Sequence, residues 1–485
     1  MLRASVFAAY GAVSLHAVAI ALALADHRMA FDELTQWLAT RSAATPVAVL
    51  ETTALHGRPP LYHVVLWPFA QSSASPATAK WLILLLGILA AGAIGRFSVQ
   101  SASPLLLLLA NPFLSICYFG MVRDYSLMAL LAVMTSVFLS QEKCTRASVT
   151  ASLLALVNLF GIMLALASAA RLITSRPRKR SHNSLAFWLS PSAIVASSLM
   201  ALYLSRPRHG GQDVLYGWDL GVGWSQRTRR ALLSFIGETV TGTTADPSRQ
   251  FTRSEIFWVL VIAFVVGSIV VMSLLIHRPT SSFLVCGLVL GIGNALFGYS
   301  QHWWHWGYFH VLLASGLIQL YSPSIQCTSW QRRLRFISLA LFTFLGVVSL
   351  LISPMRDFFF SEPPQTRARE VAEVVRVRCP SPCVVVASNE LAGDSLSAEL
   401  GGRPLYYPVR SSFGTYAFLR SPNMDTEISW NELQRAASSF GDVLIVAQIN
   451  AVSGEIPDDV RELVRFDDAL NAWGRYVLYE RVISP

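Results

Sequence analysis

Long stretches of apolar, uncharged sequence recur from the N-terminus to about residue 353, and the charge that remains is confined to the segments between them. A helix of about 20 such residues crosses a hydrocarbon core roughly 30 Å thick, and only a helix satisfies its own backbone there. Candidate spans fall at residues 4–25, 78–97, 103–121, 125–141, 184–204, 256–276, 281–299, 306–321 and 334–353. Hydrophobic residues make up 53% of the chain and charged residues 14%, which is not the balance of a water-soluble domain. The net charge of +9 comes largely from Arg in short connecting loops, a pattern that orients spans and does not call for nucleic acid. Ala23-Leu24-Ala25 resembles a signal-peptide cleavage site, but the length of run 4–25 and the many spans behind it favour an anchor.

Residues 148–170 do not fit a single crossing. Lys143 and Arg146 precede them and Arg176, Arg178, Lys179 and Arg180 follow, so both ends carry the cytoplasmic mark. Two short helices broken near Asn158 and Gly161, dipping in and returning to the same side, resolve the conflict and bring the count to about eleven crossings. With the N-terminus inside, loops 26–77 and 205–255, the aromatic loop near 300 and the tail after 353 all lie outside. His277-Arg278 and Arg332-Arg333-Arg335 then lie inside.

The chain thus divides into a membrane domain, 1–353, with a first outer loop at 26–77, and an outer-face domain, 354–485. In the latter, Pro363-Pro364 serves as a linker. Strands are expected at 384–387, 443–447 and 476–479, and helices at 367–377, 390–399, 430–439 and 457–465, giving a small α/β domain. It has no glycine-rich phosphate loop, and its expected role is to bind, cap or orient. Cys379 and Cys383, in Cys-Pro-Ser-Pro-Cys, are close enough in sequence to suggest a disulfide.

Candidate chemistry sits in the first outer loop. In Phe31-Asp32-Glu33-Leu34-Thr35-Gln36-Trp37-Leu38, the apolar positions 31, 34, 37 and 38 have helical spacing, so the segment is expected to lie on the membrane surface with its acids toward water or a cavity. Neighbouring side chains on a helix diverge by about 100°, so one acid suits a general base while the other orients a ligand, cation or neighbour. A solvated acidic pair at a helix start accounts for the same residues. Next come Leu55-His56-Gly57-Arg58-Pro59-Pro60-Leu61-Tyr62, leading into an apolar, aromatic surface helix, then Asn111-Pro112, and then Arg123-Asp124-Tyr125-Ser126-Leu127 opening another span.

The order of these elements resembles the GT-C membrane glycosyltransferases that use polyprenyl-phosphate sugars. Within them it is most similar to the branch holding protein mannosyltransferases, the aminoarabinose transferase of lipid A and the core galacturonosyltransferases of lipopolysaccharide. The likeness covers residues 1–175 well and the later spans only in general plan. It implies a polytopic helical fold and an inverting transfer from a lipid-phosphate sugar at the outer face of the inner membrane. The acceptor would be a glycan, a glycolipid or a protein. Carried onto this chain, the general base is Asp32, with Glu33 beside it. Many relatives open a later span with an Arg-Tyr pair, where this chain has His302-Trp303-Trp304-His305-Trp306-Gly307-Tyr308.

The residue types suit that chemistry without the family. A sugar hydroxyl needs a base within hydrogen-bond reach as it attacks, which Asp32 supplies. A departing lipid phosphate is best neutralised by the forked donors of Arg, for which Arg58 and Arg123 are candidates, although both could instead snorkel to lipid headgroups. His56, Tyr62, Asp124 and Tyr125 complete the expected substrate-binding group. Trp303, Trp304 and Trp306 suit an interfacial belt or a stacking surface for a sugar or prenyl chain. His302 and His305 could contact phosphate or a divalent metal, but no Cys or acid lies nearby in sequence to complete a metal site. Trp218, Asp219, Trp224 and Arg227 to Arg230 suit an acceptor lid or a solvated amphipathic helix equally. A transporter or lipid flippase, or a non-catalytic subunit displaying the C-terminal domain, remains the rival reading. No interrupted segments recur in two halves as repeat-built transporters require.

Overall fold

A computed structural model describes residues 2–55, 58–101, 103–175, 185–205, 253–297, 307–352, 366–415, 428–449, 451–469 and 474–481. Helices dominate up to residue 352. They are α1 (Leu2–Asp26), α2 (Phe31–Ser42), α3 (Ala48–Leu55), α4 (Leu61–Ser72), α5 (Ala79–Ser101), α6 (Tyr125–Ser140), α7 (Cys144–Ala155), α8 (Leu159–Thr174), α9 (Leu185–Leu204), α10 (Arg253–Ile276), α11 (Arg278–Phe297), α12 (Gly307–Leu320) and α13 (Ser329–Ile352).

Most of these helices share one apolar core running from Ile20 and Trp37 to Leu317 and Phe342, and α9 packs on α7 and α8 through a second one with Ile194 and Ala201. Unlike a soluble bundle, they also point large apolar side chains outward, among them Phe7, Leu22, Trp81, Leu89, Leu199, Phe264, Val289 and Phe344. Water would penalise such a surface and hydrocarbon would cover it, so the bundle belongs in a bilayer. Among the described residues, Ser5–Ala25 and Pro76–Ser101 are by themselves long and apolar enough to cross, and five shorter apolar helices accompany them.

The expected count of about eleven crossings is not reproduced as drawn. Segment 103–121 is broken into a 3-10 turn at Leu105–Ala110, a π turn at Phe113–Cys117 and one short turn at Tyr118–Gly120. Pro112 has no N–H to continue the first of these. The break at Asn158 is present: the Asn158 side chain caps α8 by accepting from the Gly161 amide at 2.7 Å. α7 and α8 fold against each other through Ala147, Ala151, Ala155, Ile162, Ala165 and Ala169.

Contacts at the helix ends separate two faces. Lys80 donates to the carbonyls of Leu24 and His27, tying α5 to the end of α1. At the far ends, Gln141 donates to Gln100, Ser322 to the Ser140 carbonyl, and Gln331 to the Leu275 carbonyl.

The remainder is α/β, as expected, with α14 (Ala368–Arg378), α15 (Glu390–Glu399) and α16 (Trp430–Ala437). Its strands are β1 (Val384–Ala387), β2 (Leu405–Tyr407), β3 (Ser412–Gly414), β4 (Ile428–Ser429), β5 (Val443–Gln448), β6 (Val452–Ser453), β7 (Val460–Phe466) and β8 (Tyr476–Arg481). Six strands form one sheet in the order β3-β2-β1-β5-β8-β7, with β1 parallel to β2 and β5 and the other pairings antiparallel. Successive side chains alternate between faces. Val385 and Ala387 pack toward Val371 and Leu396, and Val386 packs toward Trp430 and Leu433. The expected helix at 457–465 is instead strand β7, paired with β8 through a bulge between Glu462 and Val464. Cys379 and Cys383 are joined by a disulfide, and the Arg403 guanidinium donates to both of their carbonyls.

Candidate active site

The loop before α2 and the start of α2 place two adjacent acids in opposite situations. Glu33 is wholly buried and saturated. Its Oε2 accepts from His27 Nε2 at 2.8 Å and from the Ala30 amide at 2.6 Å, while Oε1 accepts from the Val122 amide at 2.5 Å. Burial pushes this carboxyl up, but His27 and the two amides outweigh it and hold the group below its ordinary value of 4.5. Glu33 thereby fastens α2 to the loop that carries Arg123.

Asp32 points the other way and keeps a third of its side chain exposed. Its Oδ2 accepts from Arg123 Nη1 at 2.9 Å, and the Arg123 side chain is itself buried. Arg123 lies over the Tyr125 ring at 5.1 Å, and Tyr125 stacks on Tyr118 at 5.0 Å, so an aromatic floor sets the height of the guanidinium. Asp124, next in the chain, is buried beside Arg123, Arg58 and Asn158. Burial raises its carboxyl against the pull of the two arginines.

Tyr62 is where these groups meet. Fully buried at the start of α4, it lies within electrostatic reach of Asp124, Glu33, Arg123 and Arg58, and its hydroxyl has no hydrogen-bond partner among the described residues. Burial, then the two acids, push that hydroxyl well above the ordinary phenol value. The turn between α7 and α8 supports the same place, since the Leu61 amide donates to the Leu156 carbonyl at 3.0 Å.

Asp32, Glu33, Arg58, Tyr62, Arg123, Asp124 and Tyr125 therefore converge at one end of the bundle. His56, His302 and His305 lie outside the described residues, as do Trp303, Trp304, Trp306, Trp218, Asp219, Trp224 and the run from Arg227 to Arg230. Among the described residues no group of three His, Cys, Asp or Glu could hold a metal ion.

One expectation needs correction. α2 does not lie on an open surface with both acids toward water or a cavity: Asp32 is a third exposed, but Glu33 is wholly buried. The helix is sandwiched between α4 and α15, with Leu34, Trp37 and Leu38 buried and Ala398 of α15 in the same core. Arg41, at the end of α2, donates to the Ala70 and Ser73 carbonyls of the first loop and to the Gly401 carbonyl of the C-terminal domain. At the other end Arg28 pairs with Glu370, which pairs with Arg367, which pairs with Asp468. The C-terminal domain therefore covers the acid helix from both ends. Sequence reasoning missed His27, the Val122 amide and Leu156, because none belongs to a motif; His27 reaches Glu33 from the loop before α2, and the Val122 amide and Leu156 carbonyl act through backbone alone.

No known family and no curated protein matches the chain. Among solved structures it is similar to the crystal structure of ArnT from Cupriavidus metallidurans bound to undecaprenyl phosphate, with TM-score 0.47 and 12% identity over 98% of each chain. It is also similar to the Archaeoglobus fulgidus oligosaccharyltransferase in its apo form, with TM-score 0.46 and 12% identity over 91% of this chain and 69% of that one. Neither likeness is close enough to assign a family or an activity.

Proposed function

We propose that the chain is an inverting glycosyltransferase of the GT-C kind. It would transfer one sugar from a polyprenyl-phosphate donor to a glycolipid, polysaccharide or protein acceptor at the outer face of the membrane. The observation that carries this reading is the Asp32–Arg123 pair, an accessible carboxylate held by a buried guanidinium at the end of an apolar bundle. That arrangement costs desolvation, which chemistry or ligand binding would offset.

In the reaction, the Asp32 carboxylate takes the proton of the acceptor hydroxyl as its oxygen bonds to the anomeric carbon. The bond from that carbon to the phosphate oxygen breaks, and the lipid phosphate leaves with the electron pair. An in-line displacement puts base and leaving group on opposite sides of the sugar. An arginine already bonded to the base is therefore poorly placed for the phosphate. Arg123 accordingly serves as the group that aims Asp32, and Arg58, partly exposed and near Asp124, serves as the phosphate contact. Glu33, with both oxygens engaged, is a positioning residue, and the C-terminal domain steadies the helix that bears the base.

The test is to incubate purified protein with a panel of radiolabelled polyprenyl-phosphate sugars and membrane-extracted acceptors. Transfer from at least one donor, lost in Asp32→Asn, supports the reading. No transfer from any donor, together with movement of a lipid across proteoliposomes, overturns it in favour of a flippase.

A further inference from the structure

The end of the bundle away from Asp32 holds two arginines and a histidine that the transfer reaction does not use. Arg171 lies in the last turn of α8, His277 is the link between α10 and α11, and Arg335 lies in the second turn of α13. Arg171 is 8% exposed and Arg335 9%. In both, the guanidinium Nε is sealed from water and has no hydrogen-bond partner among the described residues. Both stand within electrostatic reach of the His277 ring, which burial, and then these two cations, lower to about 4.

Few neighbours offset this charge. Arg335 donates from Nη2 to the Ile325 carbonyl at 3.3 Å, lies over the Tyr321 ring at 5.7 Å and has the Cys327 thiol beside it. Arg171 has Glu142 and Cys144 as its nearest counter-groups, and both are exposed on the bundle's end. Among the described residues no carboxylate reaches ion-pair distance of either guanidinium. Buried cations without a carboxylate partner are costly, and an anion brought among them relieves that cost.

The level of the cluster says where the anion comes from. Leu274 and Leu275, just before His277, and Phe336 and Ile337, just after Arg335, are exposed apolar side chains of the kind that face acyl chains. Trp330, half exposed at the start of α13, occupies the position of an interfacial aromatic. An anion at this height is a headgroup, and phosphate matches the forked donors of two arginines.

We infer that Arg171, His277 and Arg335 form a binding site for the phosphate of an anionic lipid headgroup, at the end of the bundle opposite Asp32. The site requires only that the bundle sit in a bilayer, whatever reaction Asp32 serves.

The experiment compares phosphatidylglycerol, phosphatidylcholine and inorganic phosphate added to the full-length, detergent-purified protein, with retained lipid read by native mass spectrometry and stability by thermal shift. Wild-type protein should retain phosphatidylglycerol about tenfold over phosphatidylcholine, as expected where roughly one kcal/mol or more comes from cationic side chains at the headgroup level. Arg171→Gln with Arg335→Gln should bring that ratio near one. Arg332→Gln with Arg333→Gln, which removes the same charge from exposed guanidinium groups on the same helix, should leave it unchanged. A wild-type ratio near one, or an undiminished ratio in the buried-pair variant, would overturn the site. Stabilisation by inorganic phosphate equal to that by phosphatidylglycerol would overturn the lipid assignment, since a free anion would then suffice. If the double variant does not fold, Arg335→Gln alone carries the test: a fall in the ratio supports the site and an unchanged ratio removes it.

Discussion

Arg123 donates from Nη1 to Asp32 Oδ2 at 2.9 Å across ninety-one residues of sequence. The guanidinium is buried and the carboxylate is a third exposed, so an accessible acid is held from a rigid support, as the proposed role of base requires. Asp32→Asn keeps the shape of the side chain and removes the base. Transfer should fall by about 100-fold or more, while the thermal midpoint moves less than activity does, because the Asn amide oxygen still accepts from the buried Arg123 guanidinium. Parallel activity and melting measurements check this, and retained activity in a folded variant would remove Asp32 from the chemistry.

The two arginines should separate in kinetics. Arg58→Gln is expected to raise KM for the lipid donor, and Arg123→Gln to lower kcat by about 100-fold. Combining Arg123→Gln with Asp32→Asn should cost little more than Asp32→Asn alone, since both changes break one unit. Additive losses in steady-state assays would show that the pair does not act together.

Glu33 predicts a stability effect in place of a purely catalytic one. Glu33→Gln removes the charge facing His27 and sets an NH2 donor against one of the N–H groups that the carboxylate accepted from, and it should destabilise the protein by about 3 kcal/mol. The folded carboxyl is held below its ordinary value of 4.5, so its contribution is complete above that value and is lost as the pH falls through the lowered one. Thermal midpoints measured from pH 7 to pH 3 should therefore drop for the wild type on acidification and drop less for the variant.

Gly161 is expected to tolerate nothing larger. A Cβ there would stand 2.2 Å from the Leu154 carbonyl oxygen and 3.3 Å from Asn158 Oδ1. Gly161→Ala should cost about 1–3 kcal/mol by overpacking, and it should depress activity as well, because the displaced turn bears the Leu156 carbonyl that receives Leu61. A variant with unchanged melting and turnover would show that the turn yields freely.

Much of this was legible in the sequence, and the misses have physical causes. Asp32 stood out because a carboxylate at the lip of an apolar bundle is costly, and Asn158 and Gly161 marked the helix break through their own chemistry. The separate fates of Asp32 and Glu33 were not legible, since Glu33 is fixed by an amide eighty-nine residues away. The cover over α2 likewise depends on α15, which no local pattern announces. Segment 103–121 looked like a span by composition, yet Pro112 already argued for interruption. In β7, Val460, Leu463 and Val464 repeat at helical spacing, and only the pairing with β8 and its bulge turn them into a strand.

α8 is a single rod of sixteen residues, about 24 Å long. Its first residues carry the cap that adjoins Asp124, and its last turn carries Arg171. A stiff helix cannot shift at one tip and stay put at the other, so the end of the bundle that holds Asp32 and Asp124 and the end that holds Arg171 are in mechanical series through this strut.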